Sequence, residues 1–273
     1  MQHLINKIHN VDCMEILSQV TDESIDLVLV DPPYMTTRFD YDLHAIDNFS
    51  LELWYKEILR VAKDTSPILI FAGNRFIFDL YNLCKKQFRY EMVWHKTNKA
   101  TGGLSSNLRP LLNHEYILYS SKKFGTSSSL KYKNTYNHGV EVDKNTNLLS
   151  GNTNRGCYTS QGKDKLYIRH DGGKNFQPKE YKKLNNKKYP RTLLSFPTQI
   201  NNRFHPSAKP QALIDYLVTT YSNEKDLVLD TFSGGGVVAK SCIYNKRNFI
   251  ATEINKEFYD KSLINISYDL FTS

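Results

Sequence analysis

The sequence lacks several features that would place it in other classes of protein. It has no run of about 18 consecutive apolar residues, so we expect no transmembrane segment. Its first ten residues, MQHLINKIHN, lack the charged, then apolar, then small-residue order of a secretory signal. These absences predict a protein that stays in the cytoplasm.

Cysteine is scarce and unpaired in the sequence. The four cysteines, Cys13, Cys84, Cys157 and Cys242, are far apart and form no Cys-x-x-Cys pair. Neither a zinc cluster nor a disulfide framework is therefore predicted, and we expect reduced residues that lie mostly in the core. His114 and Glu115 have no second ligand at a spacing suited to a metal, so we predict no metal site and assign both a structural role.

The net charge of +8 is concentrated in one segment of the 273-residue chain. Residues 120–191 contain 16 Lys and Arg against 5 Asp and Glu, so this segment carries +11 and the rest of the chain −3. A charge run alone is most simply explained as a solvated loop, but this one is interleaved with aromatic residues, as a DNA-binding surface would be. The candidate DNA contacts are Lys182, Lys183, Lys187, Lys188 and Arg191.

The hydrophobic pattern predicts an α/β fold built from both ends of the chain. Apolar runs at 25–31 and 66–72 flank a helical pattern that Ser50 can cap, and strands are predicted at 90–96 and 114–120. After residue 197 the helix QALIDYLVTTYS, the strand DLVLD, the helix VVAKSCIYN, the strand NFIATE and a final helical segment follow. We therefore expect a Rossmann-like sheet with helices on both faces.

Three regions follow from this pattern. Residues 1–119 and 192–273 form two halves of one domain, and residues 120–191, which lack periodicity, form an irregular basic insertion.

The tetrapeptide Asp31-Pro32-Pro33-Tyr34 directly follows the apolar run IDLVLV. Ligands of open α/β sheets bind at the carboxyl ends of strands, where this motif lies. The Asp31 carboxylate and the Pro32 carbonyl can accept hydrogen bonds from an amino group, Pro33 stiffens the turn, and Tyr34 offers an aromatic face to an unstacked base. A purely structural turn is the alternative.

A glycine-rich turn, Asp230 to Gly236 (DTFSGGG), separates the strand DLVLD from a helix. Glycines let the backbone approach a ligand closely, and Glu253 lies 19 residues beyond Gly234, near the spacing at which an acidic residue binds ribose hydroxyls. This arrangement suits any adenosine-bearing cofactor, and a nicotinamide cofactor remains open on this evidence. A plain tight turn is the other alternative.

Taken together and in this order, these motifs and the sequence His205-Pro-Ser-Ala-Lys209-Pro resemble the beta-class DNA amino-methyltransferases of bacterial restriction-modification systems. The resemblance covers nearly the whole chain outside the insertion. It implies methyl transfer from S-adenosylmethionine to an exocyclic amino group of a flipped base in double-stranded DNA, and a nucleoid-associated enzyme. In that family the insertion recognises the target sequence.

The resemblance also implies a role for each motif residue. Asp31, Pro32, Pro33 and Tyr34 would be catalytic. Cofactor-binding residues would be Asp12, Cys13, His205, Ser207, Lys209, Asp230, Phe232, Gly234, Gly236 and Glu253. Thr231 and Gly235 depart from the family's usual Pro and Ser or Thr, and the extra glycine would loosen cofactor binding. In isolation, His205 to Ser207 are better explained as the cap of the following helix, with Lys209 as a surface charge, and only the other motifs favour the cofactor role.

Several alternatives to adenine N6 methylation remain. Methylation of a cytosine ring carbon is excluded because it needs a cysteine after a proline, and none of the four cysteines follows one. Asp31 favours adenine N6, with cytosine N4 as the alternative. Protein glutamine or RNA substrates leave the basic insertion less well explained, and a non-enzymatic DNA-binding protein would not need the cofactor motifs. A homodimer and a cognate restriction endonuclease acting on the same site are partners that the class allows.

Overall fold

The computed structural model describes residues 1–34, 49–73, 75–103, 106–125, 132–137, 190–199 and 207–267. Their eight strands form one sheet in the order β1-β8-β7-β2-β3-β5-β4-β6. All neighbouring strands are parallel except at β5, which is antiparallel to both β3 and β4. The strands are β1 (Lys7–His9), β2 (Leu27–Val30), β3 (Ile68–Ala72), β4 (Phe88–Lys96), β5 (His114–Ser120), β6 (Leu193–Phe196), β7 (Leu227–Asp230) and β8 (Asn248–Thr252).

The described residues also form six α-helices: α1 (Cys13–Leu17), α2 (Leu51–Val61), α3 (Phe76–Cys84), α4 (Gln211–Tyr221), α5 (Val237–Tyr244) and α6 (Lys256–Ser267). The Ser50 hydroxyl caps α2 by accepting a hydrogen bond from the Leu53 amide at 3.3 Å. None of these helices is long and apolar enough to cross a membrane.

Hydrophobic residues cover both faces of the sheet. Along β2, Val28 and Val30 face one core cluster while Leu27 and Leu29 face the other, as expected for a strand buried on both sides. The first cluster contains residues of α1, α2 and α3, and the second contains residues of α4 and α5. Helices therefore cover both faces, which confirms the predicted α/β fold.

The two ends of the chain complete the same sheet. Strand β2, from the first part of the chain, pairs with β7 from the last part, where Val28 lies opposite Leu229. The three-residue strand β1 pairs with β8. Neither β1 nor β6 is predicted from the sequence: β1 has only three residues, and β6 closely follows residues 120–191, which show no periodicity.

The described parts of the basic segment pack against the domain. The Asn134 amide donates to the carbonyl oxygen of Thr65 at 2.8 Å, and the Asn137 amide donates to the carbonyl oxygens of Thr219 at 3.0 Å and Ser222 at 2.9 Å. Ser120, where the sequence places the start of the insertion, is the last residue of β5. Lys182, Lys183, Lys187 and Lys188 lie outside the described residues.

Candidate active site

Asp31 begins the connection after β2, near the middle of the sheet. Its Oδ1 accepts a hydrogen bond from the Tyr34 hydroxyl at 3.0 Å, and its side chain keeps 29% of its surface exposed. Pro32 is buried, while Pro33 and Tyr34 are partly buried. The motif thus combines a rigid turn with a carboxylate that solvent or a ligand can still reach.

Tyr34 lies in a tight aromatic environment. Its ring stacks on Phe76 with centroids 5.3 Å apart and an angle of 20° between the planes. A Cβ atom at Gly73, which follows β3, would lie 3.1 Å from the Tyr34 ring, so glycine leaves room for it. Because Phe76 already covers part of the ring, a base that stacks on Tyr34 must use surface that Phe76 leaves free.

Lys209 joins the motif from the segment before α4. Its ammonium group donates a hydrogen bond to Asp31 Oδ2 and lies 3.4 Å from Glu115 Oε2. The Lys209 side chain is only 8% exposed, and its Nζ lies 5.0 Å from the ring centroid of Phe71. The resemblance assigns Lys209 to cofactor binding, whereas this structure places it directly on the carboxylate of Asp31.

Glu115 is a member of this cluster that sequence reasoning misses. Its carboxylate accepts hydrogen bonds from the Tyr34 hydroxyl at 3.2 Å and from the Lys96 ammonium group. Because β5 runs antiparallel, its first residues lie at the sheet edge where the parallel strands end, beside Asp31. Sequence analysis assigns Glu115 a structural role. The available signal was an acidic residue next to the start of a strand whose central residues are apolar or aromatic.

The cluster balances two carboxylates against two lysines. Burial raises the pKa of Asp31. The Glu115 carboxylate raises this pKa further, whereas the Lys209 ammonium group lowers it. Burial acts to raise the pKa of Glu115 as well, but the charges of Lys209 and Lys96 outweigh it, so this pKa lies below its usual range. Burial likewise opposes charge on Lys209, yet its two carboxylate neighbours raise its pKa. Lys209 therefore stays charged, and Asp31 is more basic than a surface aspartate.

The glycine-rich turn lies at the same edge, between β7 and α5. Gly234 and Gly236 have positive φ angles of 49° and 77°, which favour glycine, and Gly236 is the N-cap of α5. One oxygen of Glu253 accepts from the Gly234 amide at 2.7 Å and the other from the Asn255 amide at 2.8 Å. Glu253 thus holds the turn in place, and each of its oxygens retains a second acceptor position.

Asp230 is buried behind this turn. Its carboxylate accepts a hydrogen bond from the Phe232 amide at 3.2 Å. Burial, with smaller contributions from Asp31 and Glu253, raises its pKa to about 8. Asp230 is therefore mostly protonated at neutral pH. The Phe232 ring packs against Trp54 at a centroid distance of 5.7 Å, which fixes this side of the turn.

Asp12 and Cys13 follow β1 at the same edge of the sheet. Asp12 is the N-cap of α1, and its carboxylate accepts a hydrogen bond from the Met14 amide at 2.8 Å. Cys13 is buried, and burial raises the pKa of its thiol to about 12, so it remains a thiol.

The other predicted site residues are not part of the described cluster. Ser207 is exposed. Arg191 is exposed beside β6, and His205 lies outside the described residues. Among the residues that the structure describes, no group of three or more His, Cys, Asp and Glu side chains could hold a metal ion.

An open α/β sheet with an acidic motif and a glycine-rich turn at its carboxyl ends is typical of enzymes that bind an adenosine-bearing cofactor. A family model described as DNA methylase (N6_N4_Mtase) matches residues 25–265, and the chain belongs to this family. The chain is 27% identical over 266 residues to the Type II methyltransferase M1.MboII of Moraxella bovis, covering 94% of this chain and 95% of that protein.

Solved structures share the fold. The M1.HpyAVI–SAM complex matches with a TM-score of 0.60 and 21% identity, over 94% of this chain and 96% of that one. The PvuII cytosine-N4-specific DNA methyltransferase matches with a TM-score of 0.62 and 15% identity, over 97% of this chain and 89% of that one. At these identities the likeness establishes the fold, and the chain is a member of the DNA methylase family on that fold.

Proposed function

We propose that this chain is a site-specific DNA methyltransferase that modifies the N6 amino group of adenine in duplex DNA, as part of a restriction-modification system. The observation that carries the proposal is Asp31, a carboxylate after β2 that is reachable from solvent, more basic than usual and fixed by Tyr34 and Lys209. A group of this kind is what a weakly nucleophilic amino group needs as a hydrogen-bond acceptor.

The residues of the glycine-rich turn fit S-adenosylmethionine as the cofactor. Within the described residues the buried Ser233 hydroxyl has no hydrogen-bond partner, so this turn retains unused hydrogen-bonding capacity. Gly234, Gly236 and Phe232 would line the cofactor, Glu253 would accept from ribose hydroxyls, and protonated Asp230 would donate a hydrogen bond. Asp12, Cys13, His205, Ser207 and Lys209 would complete the pocket. S-adenosylmethionine, when bound, supplies an electrophilic methyl group.

The catalytic residues act on the base. An adenine extruded from the duplex would place its amino group against Asp31, which accepts one N–H, and against the Pro32 carbonyl, which accepts the other. Asp31 can then take the proton that the amino group loses, since its pKa is raised. Pro33 keeps these acceptors fixed, and Tyr34 orients the base. Catalysis rests on positioning and electrostatics, without a covalent enzyme intermediate.

Cytosine N4 is the alternative target, because cytosine carries a similar exocyclic amino group and one solved structure of this fold is described as cytosine-N4-specific. Asp31 favours adenine. The DNA would bind along residues 120–191, with Lys182, Lys183, Lys187, Lys188 and Arg191 on phosphates. A homodimer and a nuclease with the same recognition site remain part of the proposal.

The base can be identified directly. Unmethylated duplex DNA is incubated with the purified chain and isotope-labelled S-adenosylmethionine, then digested to nucleosides and analysed by mass spectrometry. We expect label in N6-methyladenine. Label in N4-methylcytosine would establish the alternative instead, and absence of label from DNA, with label in RNA or protein, would contradict both.

A further inference from the structure

Glu115 has more polar partners than a structural carboxylate at a strand start requires. Its Oε1 accepts from Lys96, and its Oε2 accepts from the Tyr34 hydroxyl at 3.2 Å and lies 3.4 Å from Lys209. Only 16% of its side-chain surface is exposed. Burying a carboxylate in this way is costly unless charged partners compensate, and here both compensating lysines are themselves largely buried.

Two of these partners, Tyr34 and Lys209, also contact Asp31. The Tyr34 hydroxyl lies within hydrogen-bond distance of both Asp31 and Glu115 and shares its single proton between them, and Lys209 lies between the two carboxylates. If Asp31 were the sole anionic partner of Lys209, the ammonium group would bind that carboxylate alone. This would weaken Asp31 as a hydrogen-bond acceptor for the target amino group. Glu115 offers Lys209 a second anion, and Lys96 keeps Glu115 charged and in place.

We propose that Glu115 is a positioning residue for methyl transfer. Lys96 holds Glu115 in place, and Glu115 shares Lys209 and Tyr34 with Asp31, so that Asp31 remains able to accept a hydrogen bond from the target amino group. The inference rests on the role of Asp31 proposed above.

The pH dependence of the reaction tests this inference, because Asp31 must be ionised to accept a hydrogen bond and then a proton from the target amino group. Among the described residues, the charged and titratable groups that face Asp31 come from five elements or their ends: Tyr34 after β2, Lys209 before α4, Glu115 on β5 with Lys96 behind it on β4, and Asp230 at the end of β7. Removing the negative charge of Glu115 should lower the pKa of Asp31. Removing the positive charge of Lys96 should draw Lys209 towards Glu115 and so raise the pKa of Asp31.

The experiment measures kcat and KM for DNA between pH 5 and 9, at saturating S-adenosylmethionine, in Glu115→Gln, Glu115→Asp and Lys96→Met. We expect Glu115→Gln to lower kcat by up to about 100-fold, with little change in KM, and to move the acid limb of the kcat profile to lower pH. Lys96→Met should move this limb to higher pH. Glu115→Asp keeps the charge and should restore the wild-type limb. The exposed Glu91→Gln on β4 is the matched control and should change neither quantity.

The outcomes separate this inference from the function on which it rests. Melting temperatures identify variants that fail to fold, and if Glu115→Gln does, Lys96→Met still reports the sign of the shift. Acid limbs at the wild-type pH in every folded variant, or shifts of the same sign in Glu115→Gln and Lys96→Met, would overturn the inference. Wild-type methylation by Asp31→Asn would instead overturn the proposed role of Asp31.

Discussion

Asp31 accepts hydrogen bonds from Tyr34 and Lys209 at the same time, so its replacement removes an acceptor for the substrate without removing its neighbours. We expect Asp31→Asn to lower the methylation rate by about 10²- to 10⁴-fold, the usual loss for a group that accepts a proton in the reaction. Cofactor affinity, measured by calorimetry, should change little because the role proposed for Asp31 is on the target amine. Asp79→Asn, at an exposed position of α3, is the control. A folded Asp31→Asn protein with the wild-type rate would contradict the assignment.

Asp230 makes the stability of the fold depend on pH in the opposite direction from a salt-bridged carboxylate. Its pKa of about 8 in the folded protein lies above the ordinary 3.8, so between these values the folded state binds more protons than the unfolded state. Asp230 therefore lowers stability as pH rises from about 4 to about 8. Asp230→Asn should raise the melting temperature at pH 8 to 9 and leave it nearly unchanged at pH 4. An equal change at both pH values would show that Asp230 is not buried in its neutral form.

At the residue scale, the sequence predicts which residues lie near one another at a site better than it predicts the contacts that they make. Asp31 to Tyr34 and Glu253 follow apolar strands, and the structure places them at one edge because parallel strands end there together. The contact between Lys209 and Asp31 joins residues 178 positions apart, and no local pattern encodes it. Glu115 was missed for the same reason, since its place depends on the direction of β5.

The turn between β7 and α5 depends on a backbone conformation that only glycine adopts easily. Gly236 has a φ of 77°, and a Cβ there would lie 3.0 Å from the Cβ of Ser262 on α6. We expect Gly236→Ala to destabilise the protein by about 1–2 kcal/mol, the cost of a left-handed conformation in a residue other than glycine. Cofactor affinity should fall with it.

Gly103 is the matched control, because a Cβ at that position meets no atom within 4 Å and its φ is not in the left-handed region. Denaturant unfolding of Gly236→Ala and Gly103→Ala measures the difference. Equal stability of the two variants would show that the turn tolerates a side chain.

Elements with strong periodicity are predicted close to their observed bounds, and those without are not. The helix after Ser50 combines a capping residue with apolar residues at three-to-four spacing, and it extends from Leu51 to Val61. Strand β1 has three residues, too few to show a pattern of its own, and β6 closely follows residues 120–191, which show none. Both form by pairing with a neighbouring strand, β1 with β8 and β6 with β4. The direction of β5 depends on its partners, which hydrophobicity does not reveal.

Across the whole molecule, the uneven charge predicts how DNA affinity depends on salt. Residues 120–191 carry +11 while the rest carries −3, so phosphate contacts should lie mostly in that segment. Log affinity should fall linearly with log salt, by about 0.9 for each contacted phosphate. Replacing Lys182 and Lys183, or Lys187 and Lys188, with Ala should weaken binding to all sequences and make this slope shallower.

Lys256 and Lys261 on α6 provide a control pair, because each forms a salt bridge with an acidic residue on the same helix. Their replacement should leave the slope unchanged in duplex titrations. If the insertion variants also leave affinity and slope unchanged, the segment is a solvated loop and the DNA binds elsewhere.

The pairing of β2 with β7 has a consequence for the synthesis of this protein. The Asp26 carboxylate accepts a hydrogen bond from the Leu227 amide, 201 residues further along the chain, and the Asn10 amide reaches the carbonyl of Glu253, 243 residues away. At about 5–20 residues per second, a ribosome takes roughly 10–40 s to cover such a separation. For that time the apolar strand β2 lacks its β7 neighbour and leaves backbone N–H and C=O groups unpaired along that edge, where another chain can pair and aggregate. A nascent chain therefore cannot bring Asp31 and the glycine-rich turn together until β7 has been made.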